Sequence, residues 1–245
     1  MIITKQKETR KLLEMLEGAQ RVFLVGCGDC ATTCKTGGQE EVAAMAGFLK
    51  AHGKTVTGTA VPDATCVSAQ TKTALAVHKK ALKDSDAVLV FACGSGVQCV
   101  KEADRAGLDV LPGCDSLYVA LVDDKKNFEQ VCRTCGDCLL DVTEAICPVT
   151  RCAKGLLNGP CGGQDEGKCE VDPERECVWI TIYDRLKEKG RLDRLKVRRP
   201  PKDHSAVRKS VSRAGELGAL NREKSAWPPA GSTLRRHKLD GKKAD

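Results

Sequence analysis

The sequence has no long hydrophobic run. No stretch approaches the ~18 consecutive apolar residues of a membrane helix, so no membrane span is expected. The N-terminal MIITKQKETRKLLEMLEGAQ places lysines and glutamates where the apolar core of a secretory signal would lie. The expected location is therefore the cytoplasm, where thiols stay reduced. Histidine is scarce. His52, His78, His204 and His237 are the only four, and none falls among the dense cysteine groups. No nucleophile–histidine pair is evident, which argues against acid–base or nucleophilic catalysis on this chain. No catalytic residue is assigned, and Asp29, Asp63 and Asp137 read as structural hydrogen-bonding groups. There is no internal repeat. Residues 126–183 lack large aliphatic runs, and a segment that small and polar needs disulfides or metals to hold a fold.

What the chain has instead is cysteine, 15 in 245 residues. In a reducing compartment dense cysteines favour metal or redox chemistry, and an odd count argues against a fully paired disulfide set. The N-terminal group is Cys27-x2-Cys30-x3-Cys34. The C-terminal group opens with Cys132-x2-Cys135-x2-Cys138 and continues through Cys147, Cys152, Cys161, Cys169 and Cys177. The close triplet followed by Cys147-Pro148 partly matches a bacterial ferredoxin run, at a longer final interval. Zinc sites usually use paired cysteine blocks, often with histidine. A triplet without nearby histidine leans toward iron–sulfur. The eight C-terminal cysteines equal two four-ligand sites. Two clusters, or one cluster and one zinc, both fit, and spacing does not partition them. Cys169 and Cys177 are the weakest members and read equally well as packed thiols.

Along residues 1–125 short apolar runs alternate with amphipathic stretches. Strands are predicted at 22–27, 55–61, 87–92, 109–111 and 117–122. Helices are predicted at 9–17, 39–52, 68–83 (capped by Ser68, with Ala74, Val77 and Ala81 inward) and 94–106. The pattern predicts an α/β domain with a mainly parallel sheet over residues 1–125. A Cys-rich metal or iron–sulfur module would follow at 126–190, then a basic extended tail at 191–245. Residues 178–187 read as a strand or helix closing the module. Cys27, Cys66, Cys93 and Cys114 fall at or just beyond predicted strand ends, the edge where open parallel sheets bind ligands. Cys93 is the expected fourth partner of Cys27, Cys30 and Cys34, with Cys66, Cys99 and Cys114 in reserve. Gly26-Cys27-Gly28-Asp29-Cys30-Ala31 mimics a dinucleotide fingerprint. It lacks the acidic residue about 20 positions on, and cysteines fill the turn.

Charge is divided unevenly. Residues 185–245 carry 19 Lys and Arg against 7 Asp and Glu, a net of +12, which leaves −5 for the rest of the chain. The tail reads as solvated, or as a strap for an acidic surface. Trp227 is its one aromatic residue and no nucleic-acid module is recognisable, so nucleic acid is not an expected partner.

The stretch from Cys147-Pro-Val-Thr-Arg-Cys152 through Asn-Gly-Pro-Cys161-Gly-Gly, Gly-Lys-Cys169-Glu and Cys177-Val-Trp179 resembles the methylene-tetrahydrofolate reductase C-terminal family. Gly-Cys27-Gly-Asp-Cys30-Ala-Thr-Thr-Cys34 and Ala-Cys93-Gly-Ser-Gly-Val-Gln resemble the small, MetV-type subunit of the anaerobic enzymes of the Wood–Ljungdahl route. The likeness covers residues 1 to about 190. It implies two or three [4Fe-4S] clusters, with zinc as a further metal. It also implies a MetF-type catalytic partner carrying the flavin and the folate site, and a low-potential electron donor or further redox subunits. The alternatives are a zinc-held scaffold subunit of the same or another flavoenzyme complex, and a zinc-ribbon nucleic-acid binder.

Overall fold

The computed structural model describes residues 1–208, so most of the expected basic tail lies outside the described residues. Among the described residues two compact units are present: Met1–Thr134 with Cys138–Pro201, and Cys135–Asp137 with residues 202–208. In the second unit Lys202 pairs with Asp137, and Ser205 donates to the Asp203 carboxylate at 2.9 Å.

The first unit begins with β1 (Ile2–Gln6), α1 (Thr9–Met15), β2 (Arg21–Val25), α2 (Cys30–Thr33), α3 (Gln39–Ala51) and β3 (Thr55–Ala60). It continues with α4 (Ser68–Ala76), α5 (Lys79–Lys83), β4 (Ala87–Val90), α6 (Gly94–Ala103), β5 (Asp109–Pro112), β6 (Cys114–Val122) and β7 (Phe128–Cys132). Then come α7 (Pro148–Arg151), β8 (Lys168–Cys169), β9 (Asp172–Glu176) and α8 (Val178–Glu188).

A four-stranded sheet in the order β3-β2-β4-β5 is parallel throughout. Its two central strands explain why. RVFLV is buried from its second residue onward and AVLV throughout. Strands apolar on both faces need cover on both sides, which crossover helices supply. Phe23, Val25, Val88 and Val90 face one core with Val100 and Ala103 of α6 and Leu75 of α4. Val22, Leu24, Leu89 and Phe91 face the other with Leu12 of α1 and Met45 and Leu49 of α3. α3 starts with the Glu41 carboxylate accepting the Gly38 N–H at 2.9 Å. It stops at Gly53, whose φ of +78° only glycine adopts freely.

Two expectations change, and one open alternative is settled. The strand expected at 117–122 starts at Cys114 and leaves the parallel sheet. It pairs antiparallel with β1 on one side and β7 on the other. Gly113 makes the switch, because a side chain there would meet the Phe91 ring at 2.8 Å. The strand that opens the Cys-rich segment is thus part of a sheet with the chain's first residues. The helix expected at 68–83 breaks at Val77–His78, and it buries Thr71 and Leu75 while Val77 stays exposed. Ser68 is the first helical residue and makes no capping bond. Residues 178–188 are helical and bury Val178, Trp179, Ile182 and Leu186 in a third core with Ile146 and Cys177. Arg151 of α7 pairs with Glu129 of β7 at 2.6 Å.

Asp86 ties the start of β4 to β2. Its carboxylate accepts the Gln20 and Arg21 N–H groups at 3.0 and 2.8 Å and the Arg21 guanidinium at 2.8 Å. The Arg21 side chain is the main cause holding this carboxyl down, to about 2. A depressed folded value contributes stability above the unfolded value of about 3.9, lost as pH falls toward 2. Asp86→Asn is expected to lower the melting temperature by about 1–3 °C at pH 7, a modest effect because the pair is solvated. The difference should shrink progressively below about pH 4 and be small in melts near pH 2.

Candidate metal centre

The C-terminal edge of the parallel sheet gathers sulfur. Cys27 follows β2 after one glycine and is 6% exposed. Its N–H donates to Gly37 O and its carbonyl accepts from Thr32 Oγ1, both at 2.8 Å. Gly26 and Gly37 are required here. A Cβ on Gly26 would lie 2.4 Å from Gly37 O, and one on Gly37 would lie 2.0 Å from Phe91 O. Cys30 opens α2, with its thiol 3.8 Å from the Asp29 carboxylate. Cys93 precedes α6 and accepts the Val97 N–H at 3.1 Å, while Ser116 holds the next N–H at 2.9 Å.

The loop after β3 joins the same edge. Gly28 N donates to Pro62 O at 2.8 Å. Thr65, fully buried, donates from Oγ1 to Gly26 O at 2.6 Å. Cys66 follows it and is exposed. The Cys30 thiol is raised above its ordinary value, first by desolvation and then by Asp29, Cys27 and Cys93, against an opposing hydrogen bond from the Ile2 backbone. The Cys66 thiol is raised by desolvation and by the proximity of Cys93 and Cys27. Cys27 and Cys93 are thus neighbours of both Cys30 and Cys66.

Cys34, expected with Cys27 and Cys30, turns toward β1, its thiol 3.9 Å from Ile2 O. Its sulfur neighbour is Cys114, a buried thiol donating to Thr36 O at 3.5 Å and pushed up to about 12 mainly by burial. Cys99 lies on the inner face of α6, 7% exposed, as a packed thiol.

In the C-terminal part, Cys152, Cys161, Cys169 and Cys177 line one cavity of about 20 Å³ beside Trp179 and Lys154. This grouping of four of the eight C-terminal cysteines was not available from spacing. It includes Cys169 and Cys177, the two weakest candidates in the sequence. Cys161 sits between Gly159 and Gly162, both with positive φ. Its thiol is lowered, first by the Gly163 N–H and then by Lys154, which outweigh its desolvation. Cys132 is exposed at the end of β7 and accepts the Thr134 N–H at 3.3 Å. Cys138 is exposed and Cys147 half-buried at the start of α7. In the second unit the Cys135 thiol lies 3.5 Å from Asp137 O.

All 15 cysteines are free. Among the described residues no group of three or more His, Cys, Asp or Glu side chains is disposed to hold a metal ion. The sulfurs share a rim and a cavity without closing on a common centre. The donor chemistry is nonetheless uniform. His78 packs on Phe23 with ring centroids 5.4 Å apart, half-buried rather than solvent-facing as its sequence neighbours suggest. The His52 ring stacks on Phe48 at 4.1 Å. Thiolates with nearby backbone N–H groups suit iron–sulfur clusters or tetrathiolate zinc.

The C-terminal cysteines lie in a stretch with known relatives. Residues 111–205 match the family model described as methylene-tetrahydrofolate reductase C terminal. The matched segment, less than half of the chain, is similar to that family. It starts inside β5, spans β6, β7 and α8, and contains Cys114 and all eight C-terminal cysteines. Cys27, Cys30, Cys34, Cys66 and Cys93 precede it. No curated protein and no solved structure matches the chain. Among the described residues no helix is long and apolar enough to cross a membrane.

Proposed function

We propose that the chain is the iron–sulfur electron-transfer subunit of a methylenetetrahydrofolate reductase complex, passing electrons to the flavin of a MetF-type catalytic partner. The observation that carries this reading is the gathering of thiols from separate loops at the C-terminal edge of a parallel sheet. That sheet belongs to the same compact unit as most of the reductase-family segment. Bound at these thiolates, iron–sulfur clusters supply one-electron transfer at a potential set by burial, charge and hydrogen bonds to sulfur. The chain's residues supply those controls. Cys27 brings a buried sulfur, Asp29 adds negative charge beside Cys30, and the Gly163 N–H offers a hydrogen bond to Cys161. A second cluster is proposed on the C-terminal cysteines, whose close triplet followed by Cys147-Pro148 partly matches a ferredoxin run. A low-potential donor would deliver the electrons.

A second reading, zinc at Cys152, Cys161, Cys169 and Cys177, is favoured by one observation. The cavity of about 20 Å³ is room for little more than one water-sized sphere, about 10–15 Å³. That suits a single ion better than a four-iron cube.

The chain purified without oxygen is expected to be brown, to contain iron and acid-labile sulfide, and to lose its visible absorbance on adding dithionite. A colourless protein with zinc alone, unfolding with chelator, would make it a scaffold. A colourless protein retained on heparin would revive nucleic-acid binding.

A further inference from the structure

We infer that the groove between α4, α5 and α6 docks an acidic amphipathic helix of a partner protein. Docking here is independent of the redox reading above, because no thiol lines the groove. The groove encloses about 630 Å³, within the roughly 300–1,000 Å³ of ordinary binding sites. Its floor is Leu75, Ala76 and Leu82 from α4 and α5, with Ala103 at the end of α6 and Ala106 beyond it. Its rim is Lys72, Lys79, Lys83 and Arg105, all exposed. Along the chain the order is Lys72, Leu75, Ala76, Lys79, Leu82, Lys83. Steps of three and four put floor and rim on one helical stripe, and the stripe persists through the break at Val77–His78. The connection through Asp104 and Ala106 leads from α6 into β5. This end of the groove therefore lies toward the edge of the parallel sheet opposite the thiols.

The fold does not account for these cations. Among the described residues none of the four forms an ion pair. The helix dipole explains Lys83, in the last turn of α5. It does not explain Lys79, which opens α5 where a cation is disfavoured, nor Lys72 in the middle of α4. Asp104 is the one carboxylate lining the groove. It is turned into its own loop, accepting the Ala106 and Leu108 N–H groups at 2.9 and 2.7 Å, with its side chain 5% exposed. The groove is thus positive on a body whose residues 1–184 sum to −5. Phosphate is met by N–H groups at helix N-termini. The ends of α4 and α6 that line this groove, Ala76 and Ala103, are C-termini and present carbonyls. Flexible ammonium groups along an apolar strip suit carboxylates set at helical spacing among apolar side chains, as on an amphipathic helix laid in a groove. This chain's own residues 209–245 carry 9 Lys and Arg against 4 Asp and Glu, the wrong sign for the site.

The test uses the full chain and a fluorescent, photo-crosslinking peptide of about 18 residues, with leucine on one helical face and glutamate on the other. Binding is read by anisotropy near physiological salt, about 0.15 M. Wild type is expected to bind, with cross-links in residues 72–83 and 103–106. The triple variant Lys72→Ala, Lys79→Ala, Arg105→Ala is expected to bind at least about tenfold more weakly. Ala76→Trp, which fills the floor without changing charge, should weaken binding as much. Arg10→Ala, Lys11→Ala, Lys50→Ala, which removes exposed cations from α1 and α3 on the other face of the sheet, should bind like wild type. Circular dichroism should show every variant folded, since each replaced side chain is exposed. No binding by wild type, cross-links confined to residues 209–245, or unchanged binding by the groove variants overturns the inference. So does ATP binding at the groove more tightly than the peptide, which would make it a nucleotide site. Self-association of the chain that is lost in the groove variants would seat a second copy there, and overturns it too.

Discussion

Gly37→Ala is expected to destabilise the protein by on the order of 3 kcal/mol, and to lower its melting temperature by about 6–12 °C. The new methyl would sit 2.0 Å from Phe91 O and 2.8 Å from Phe91 C. Both are backbone atoms, so no rotamer change relieves the clash. Phe91 is itself fully buried at the end of the central strand. Gly37 O also accepts the Cys27 N–H, so a displaced Gly37 moves a proposed ligand. Iron at the sheet edge should fall with stability, while the C-terminal metal stays. Gly47→Ala is the control. It lies inside α3 with nothing within 4 Å of its added carbon, and should stabilise by about 0.5–1 kcal/mol. Thermal melts with metal analysis check both. Equal effects at the two positions would refute the packing argument.

Trp179→Ala should act on the other part of the molecule. Trp179 is 1% exposed and anchors the small core of Ile146, Val178, Ile182 and Leu186. Its Nε1 donates to Leu156 O at 3.2 Å, fixing the loop between Cys152 and Cys161. Removing a buried tryptophan costs about 3–5 kcal/mol, and a core this small has little to lose. The expected result is a C-terminal segment that is cut early by protease and loses its metal while residues 1–112 stay protected. Trp179→Phe keeps the packing and gives up the hydrogen bond, a loss of about 1 kcal/mol. If Trp179→Ala melts as one transition with metal retained, the segment is held by something other than this core.

How far these features can be read in the sequence depends on how local their causes are. The parallel strands and their helices are legible because VFLV and AVLV must be covered on both faces. The antiparallel sheet is not. IITKQ is short, and its register, Ile2 opposite Val119, is set by a partner more than a hundred residues away. Val77 falls on an apolar period but stays exposed, because the helix breaks beside it. At the site, the positions of Cys27, Cys66 and Cys93 follow from strand ends alone. What fixes the loop of Cys66 is the Thr65 hydroxyl bonded to Gly26 O, which spacing does not encode. The grouping of Cys152 with Cys161, Cys169 and Cys177 is likewise fixed by glycine turns and a two-strand hairpin without period. The reductase family is legible from its cysteine, glycine and proline pattern, because such loops are defined by residue identity rather than by hydrophobic rhythm.

The central claim is that this chain carries electrons on iron–sulfur centres held by its cysteines. EPR of the full chain, purified without oxygen and reduced stepwise with a low-potential reductant, tests it most directly. The account predicts iron–sulfur signals that appear on reduction and disappear on reoxidation, and that weaken when Cys93 is replaced by alanine. A chain that is EPR-silent at every potential and holds zinc alone would contradict it.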